Sequence, residues 1–193
     1  MNTYARRDRR ESRSPEVAMF KLGPSENSLR KLASKYDYQN DEAELLSLRK
    51  PIIDRGCLTK GDLQVVGDWK SPRSAGRIRG NSGDFVEEIT RFALSTRSEQ
   101  PRIEVLTLLR GVAWPTASVV LHFFGEDDYL ILDYRALWSV GVEVPPSRYR
   151  FEFWWSYVEF TRDLAKRVSL DMRTLDKALW QYSKDYQGQG GRS

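Results

Sequence analysis

The chain has one cysteine, Cys57, and one histidine, His122, among 193 residues. A lone cysteine can make no intrachain disulfide, zinc finger or four-cysteine iron–sulfur cluster. A lone histidine likewise excludes every site built on two imidazoles. Apolar runs are short as well. Nowhere do about eighteen apolar residues follow one another, so no membrane span is expected. Behind the N-terminal arginines Arg6, Arg7, Arg9 and Arg10 stands only Val17-Ala18-Met19-Phe20, too short for the apolar region of a secretory signal. These absences lead us to expect a soluble, intracellular chain, with Cys57 reduced and used as packing. The chemistries left open are those of carboxylates, lysines, backbone amides and magnesium, or none at all.

Charge is present but unevenly placed. Lys and Arg number 31 against 27 Asp and Glu, a formal net charge of +4. The first fourteen residues hold five arginines and two acids, so they supply +3 of it. Within the remainder, residues 70–102 are basic (seven cations against four acids) and residues 103–162 acidic (five against eight). Residues 1–25 are rich in Arg, Ser, Glu and Pro without an apolar period, which predicts a disordered basic arm. Residues 187–193 read as a flexible, glycine-rich tail. The expected body, residues 26–186, is a single all-α domain.

Helical punctuation runs through that body. Residues 41–50 carry Ala43, Leu45, Leu46 and Leu48 and are expected to stop or kink at Pro51. Thr59 is an N-cap candidate before Leu63, Val65, Val66 and Trp69, and Ser71-Pro72 ends that helix. Residues 72–83 hold Pro72, Gly76, Gly80 and Gly83 together with Arg73, Arg77 and Arg79, the composition of a basic loop or a short broken helix. Residues 85–94 show the spacing of one helix face. Two apolar helices, 103–109 and 116–124, follow across a short turn. Asp133 opens a short helix closed by Gly141. Residues 149–168 alternate like a strand at first, but the pattern is too long for one and predicts a helix. Asp171 caps the last helix.

The turn between the two apolar helices reads Leu109-Arg110-Gly111-Val112-Ala113-Trp114-Pro115-Thr116-Ala117. A second helix entered this way presents unpaired backbone N–H groups at its start, which attract a phosphate through the amides and the helix dipole. Pro115 suits a first helical turn. An ordinary antiparallel helix connection has the same pattern, and both readings stay open. Asp133 follows the apolar Ile131-Leu132, eighteen residues after Pro115. It is an N-cap, a functional carboxylate, or both.

Together these residues resemble the helix-hairpin-helix DNA glycosylases that include endonuclease III and the mismatch adenine glycosylases. That family's pattern is Leu-Pro-Gly-Val-Gly-x-(Lys or Ser)-Thr-Ala, an apolar helix and a helix-opening aspartate. The likeness covers residues 103–137. It implies that Asp133 is the catalytic carboxylate, that Gly111, Val112 and Ala113 grip a phosphate, and that the partner is DNA, met at its backbone and at a flipped base. It also implies a cytoplasmic or nucleoid-associated protein. Pro115 stands where bifunctional members carry a Schiff-base lysine, so strand cleavage by that lysine is not expected. Ala113 replaces the usual glycine, and the iron–sulfur cysteines are missing. The resemblance thus implies a monofunctional, metal-free and cofactor-free base-excision hydrolase.

Around this motif, Trp69 is a candidate to stack a flipped base, or else a core residue. Lys70, Arg73, Arg77 and Arg79 are candidates to hold phosphate, or else solvated cations. Trp114 and Thr116 belong to the hairpin; Trp114 either contacts the sugar or staples the turn. His122 reads as a satisfied core histidine. Trp154, Trp155 and Trp180 read as core. Glu126-Asp127-Asp128 reads as a solvated loop. Two other functions remain open: a DNA-binding module without excision activity, and a helical protein-interaction domain.

Overall fold

The computed structural model describes residues 20–38, 42–142 and 149–188. Among them there is no strand. A 3-10 turn, Glu26–Ser28, leads into α1 (Leu29–Ser34), and nine more helices follow: α2 (Ala43–Arg55), α3 (Lys60–Lys70), α4 (Pro72–Ile78), α5 (Gly83–Ser95), α6 (Glu99–Leu106), α7 (Trp114–Phe124), α8 (Tyr134–Ser139), α9 (Phe151–Val168) and α10 (Met172–Tyr186). The all-α reading is therefore correct, and the long aromatic stretch after Tyr149 is helical throughout.

Local chemistry sets most of the boundaries. Thr59 closes a capping box with Asp62: its hydroxyl accepts from the Asp62 N–H at 3.2 Å and the Asp62 carboxylate accepts from the Thr59 N–H at 2.8 Å. Asp171 caps α10 through the Thr174 N–H at 2.8 Å. The expected stop at Pro51 does not occur. α2 runs through Pro51 and ends four residues later at Arg55, followed by Gly56, whose φ of 73° makes a left-handed C-cap. Pro51 is exposed, so the carbonyl it leaves unbonded within the helix can be satisfied by water. The apolar pair of helices also shifts. α6 begins earlier than expected and ends at Leu106, and 3-10-type bonds carry the chain from Thr107 to Leu109 before the turn.

α7 lies at the centre. Eight of its eleven residues are buried, including Val119, Val120, Leu121, Phe123 and Phe124, as expected of a helix apolar on all sides. α2, α3 and α6 pack directly against it. A second group forms around α10, which packs on α1, α8 and α9. Residues 20–23 join this second group. The Lys21 and Gly23 N–H groups donate to the Val140 and Ser139 carbonyls, both at 2.8 Å, and Phe20 is buried among Phe153, Tyr157 and Phe160. The packed body thus already includes Phe20, whereas the basic arm was drawn as far as residue 25. The arginine cluster at 6–13 and the end of the tail lie outside the described residues.

α4 packs on α3 and on the α6–α7 turn. Ile78 is fully buried between two glycines. A Cβ on Gly67 of α3 would stand 2.3 Å from Ile78 Cδ1, and one on Gly111 would stand 2.8 Å from Ile78 Cγ1 and 2.9 Å from its backbone N. Only backbone without side chains lets three segments meet so closely.

Candidate functional site

Asp133 precedes α8 as its N-cap, in extended conformation, with Oδ1 accepting from the Arg135 N–H at 2.9 Å. Its other oxygen, Oδ2, accepts from the Lys70 ammonium at 2.5 Å, and Lys70 is the last residue of α3. Burial pushes the Asp133 carboxyl up, but the Lys70 charge and hydrogen bond, together with the Arg135 N–H, outweigh it. They hold the carboxyl below its ordinary range. The side chains remain 18% and 11% exposed, so both reach open space.

That space is a cleft of about 630 Å³ where the two helix groups meet. Lys70, Pro72 and Arg73 form one wall, Asp133, Tyr134 and Arg135 another, and Trp180 and Lys184 of α10 a third. Lys184 is paired with Asp37 and Lys70 with Asp133. Among the described residues, Arg73 and Arg135 make no ion pair. The Arg135 guanidinium lies over the Trp180 ring at 5.3 Å and the Tyr134 ring at 5.1 Å. A much smaller cavity, of about 20 Å³, shares Tyr38, Lys70, Asp133 and Trp180 with the cleft and is lined also by Tyr36, Trp69, Ile131 and Asp176.

The hairpin residues stand beside this cleft and do not line it. Gly111 has φ of 81° and presses on α4, since a Cβ there would stand 3.0 Å from the Ser74 carbonyl oxygen. Gly111 thus brings its backbone close to another part of the protein itself. Asn81, which the sequence did not single out, clamps the same junction. Its carbonyl oxygen accepts from the Arg110 N–H at 2.9 Å, and its amide donates to the Arg110 and Ile78 carbonyls at 3.0 and 2.8 Å. Ala113 caps α7 without a side-chain acceptor, so the first-turn amides of α7 are not capped from within. Val112 and Thr116 are buried and can offer a ligand only their backbone. Trp114 leans inward on Trp154, with ring centres 6.2 Å apart.

α4 connects the two halves of the site. Its first residues, Pro72 and Arg73, face the cleft, and its later turn holds Gly111. Arg73, Arg77, Arg79 and Arg110 are all exposed, and among the described residues none of the four makes an ion pair. In the fold Arg73 lines the cleft with Asp133, while Gly111 packs on the later turn of the same helix α4. Trp69 is buried, edge-on to Tyr38 at 5.4 Å and to Phe123 at 5.6 Å, and walls the inner cavity only. Trp154 is core, but Trp180, read as core, lines the cleft. Sequence reasoning also passed over Tyr36, Tyr38, Arg135, Asp176 and Lys184. Of these, only Asp176 left a trace, as an acid on the buried face of an amphipathic helix.

The acidic loop at 126–128 is exposed. Among the described residues, no cluster of His, Cys, Asp and Glu could hold a metal ion, and no helix is long and apolar enough to cross a membrane.

His122 accounts for a pH effect on stability. Its Nδ1 lies 2.6 Å from the Tyr129 carbonyl oxygen, and burial lowers its pKa from 6.5 to about 4. The unfolded chain binds this proton first, so stability is lost as pH falls from 6.5 towards 4, by about 3 kcal/mol. Asp176 works in the opposite sense, because its carboxyl is raised to about 6 by burial and the folded state binds that proton first. Urea midpoints of the wild type and His122→Asn, compared across this range, should therefore differ in slope. The variant should lose less stability on acidification, and equal slopes would rule out a neutral, buried His122.

No protein-family model and no curated protein matches the chain. Two solved structures are similar to it. One is the Methanocaldococcus jannaschii 8-oxoguanine glycosylase/lyase in complex with 15mer DNA containing 8-oxoguanine, at 21% identity over 86% of this chain and 82% of that one, with a TM-score of 0.42. The other is the Methanocaldococcus jannaschii 8-oxoguanine DNA glycosylase, at 20% identity over 86% of this chain and 79% of that one, with the same TM-score of 0.42. At that TM-score the likeness is too loose to carry a function to this chain.

Proposed function

We propose that the protein binds duplex DNA across α4 and the α6–α7 turn and excises a base from it, with Asp133 as the working carboxylate. The observation that carries this reading is the Lys70–Asp133 pair, which opens into a cleft beside four unpaired arginines. A carboxylate kept ionised at the edge of a cationic surface suits a reaction in which a polyanion is bound and positive charge then develops on its sugar. The motif running from Leu109 to Ala117 and on to Asp133 agrees with it.

In this mechanism the arginines and the α7 amides hold phosphates, and the target nucleotide leaves the stack for the cleft. The bond between the sugar C1′ and the base nitrogen breaks, and its electron pair leaves with the base, which takes up a proton. Asp133 stabilises the sugar cation and receives a proton from the water that adds to C1′. Pro115 leaves the hairpin without an amine, so base release is assigned to water and the excision step is monofunctional.

The test incubates the protein with duplexes carrying uracil, 8-oxoguanine, alkylated purines or adenine opposite 8-oxoguanine, followed by alkali. Alkali-labile abasic sites in at least one duplex are the expected result. In parallel, log affinity for an undamaged duplex should fall with log salt by about 0.9 per phosphate contacted. A salt-independent affinity would overturn any DNA role. A steep salt response without abasic sites would leave a binding module.

A further inference from the structure

The inner cavity contains a feature that the mechanism above leaves unused. Asp176 of α10 is buried, yet it lines the same cavity of about 20 Å³ as Asp133 and Lys70. A space of this size holds a single water, and three polar side chains at its wall supply the partners that a buried water needs. The geometry points to Asp176 as the proton donor to the departing base, acting through that one water, with Asp133 as its ionised counterpart. The inference rests on the base-excision reading.

Two carboxyls at one site take opposite roles when their surroundings drive their protonation apart. Asp133 has Lys70 and the Arg135 N–H and is held low. Asp176 is raised by burial to about 6. Arg173 and Lys70 pull it down, while Asp133 and Glu42 push it up. Arg173, one turn earlier on α10, donates to Asp176 and is shared with Glu42 at the start of α2, which also binds Lys177. The Tyr36 hydroxyl accepts from Arg173 at 3.3 Å, and Tyr157 of α9 feels the Asp176 charge. Asp176 thus commands less positive charge than its one cationic hydrogen bond suggests.

The proton balance closes. The Asp176 O–H bond breaks, and its proton passes along the water to the base nitrogen that received the electron pair of the C1′ bond. The water that adds to C1′ gives its proton to Asp133. Solvent then takes the proton from Asp133 and returns one to Asp176.

The test is the single-turnover rate of base release as a function of pH, from about 5 to about 8, on a duplex that yields abasic sites. The wild-type rate should fall tenfold per pH unit above about 6. Asp176→Asn should lose about 10²-fold or more at low pH and show no alkaline fall. Asp176→Glu, which keeps an acid, should restore a fall at a shifted pH, and it decides the matter if the asparagine variant fails to fold by circular dichroism. A merely structural role would lower the rate equally at every pH. An asparagine variant that keeps the wild-type pH profile, a glutamate variant without an alkaline fall, or a wild type without one, overturns the assignment and leaves base excision standing. Absence of base release from every duplex overturns both.

Discussion

Asp133→Asn is expected to cut base release by about 10³-fold while the protein stays folded and keeps its hold on DNA. Asparagine is chosen because Asp133 has two jobs. As an N-cap, Asn serves as well as Asp, so the bond to the Arg135 N–H and the start of α8 should survive. What disappears is the charge, and with it the partner of the Lys70 ammonium. Removing one member of a buried pair is costly, but here both groups open on the cleft and Lys70 can turn towards solvent. A stability loss of about 1–2 kcal/mol is expected, below the range for a closed pair. DNA affinity should hold or rise, because Lys70 becomes an additional free cation beside Arg73 and Arg135. Anisotropy titrations at two salt concentrations, run beside single-turnover assays, would separate these effects. Unchanged base release would remove Asp133 from the chemistry.

The second large effect concerns the turn. Gly111→Ala should destabilise the fold by about 3 kcal/mol or more, combining a left-handed backbone position with a methyl group driven into α4. The φ of 81° disfavours any side chain, and behind the nearest atom, Ile78 Cγ1, stand Ile78 N and Ser74 O, backbone atoms that cannot rotate away. Gly76→Ala on α4 is the control. Nothing lies within 4 Å of a Cβ there, so this helical, exposed glycine should gain about 0.5–1 kcal/mol on substitution. Urea denaturation of the two variants should give shifts of opposite sign. A neutral Gly111→Ala would mean that the turn is not held against α4 as described.

The contrast between these two glycines shows what the sequence made legible. Gly111 stands out in the sequence by its place in the turn, and the structure adds its left-handed backbone. Its neighbour does not stand out, because Ile78 lies 33 residues away and nothing local links them. The same division runs through the site. Asp133 stood out as a helix-opening acid after an apolar run, but its partner Lys70 is 63 residues distant, and so it could be named only as a candidate cation. Trp180, which reads as core with Trp154 and Trp155, carries no local mark of a cleft position. It is the meeting of α10 with α3 and α8 that puts it on a cleft wall. Of the two outcomes expected at Pro51, a stop and a kink, the stop does not occur, because a proline rule concerns the local backbone, whereas α2 is held by Leu45 and Ile52, which the core buries. Residues 20–23 were lost in a polar N-terminal composition. Their order comes from bonds to Ser139 and Val140, beyond the reach of any local pattern.

The seat of Ile78 between Gly67 and Gly111 has a consequence for how the site can vary. In an ordinary core, a lost methylene is partly made good when neighbouring side chains change rotamer. Here two of the segments that Ile78 meets, at Gly67 and Gly111, have no side chains to move. A smaller residue would leave a gap that the two glycines cannot refill, and a larger one would meet main chain at both of them. The junction therefore admits no gradual repacking. The arginines of α4 and the amides of the turn keep a fixed mutual spacing, and a change in that spacing would require substitutions on three segments at once.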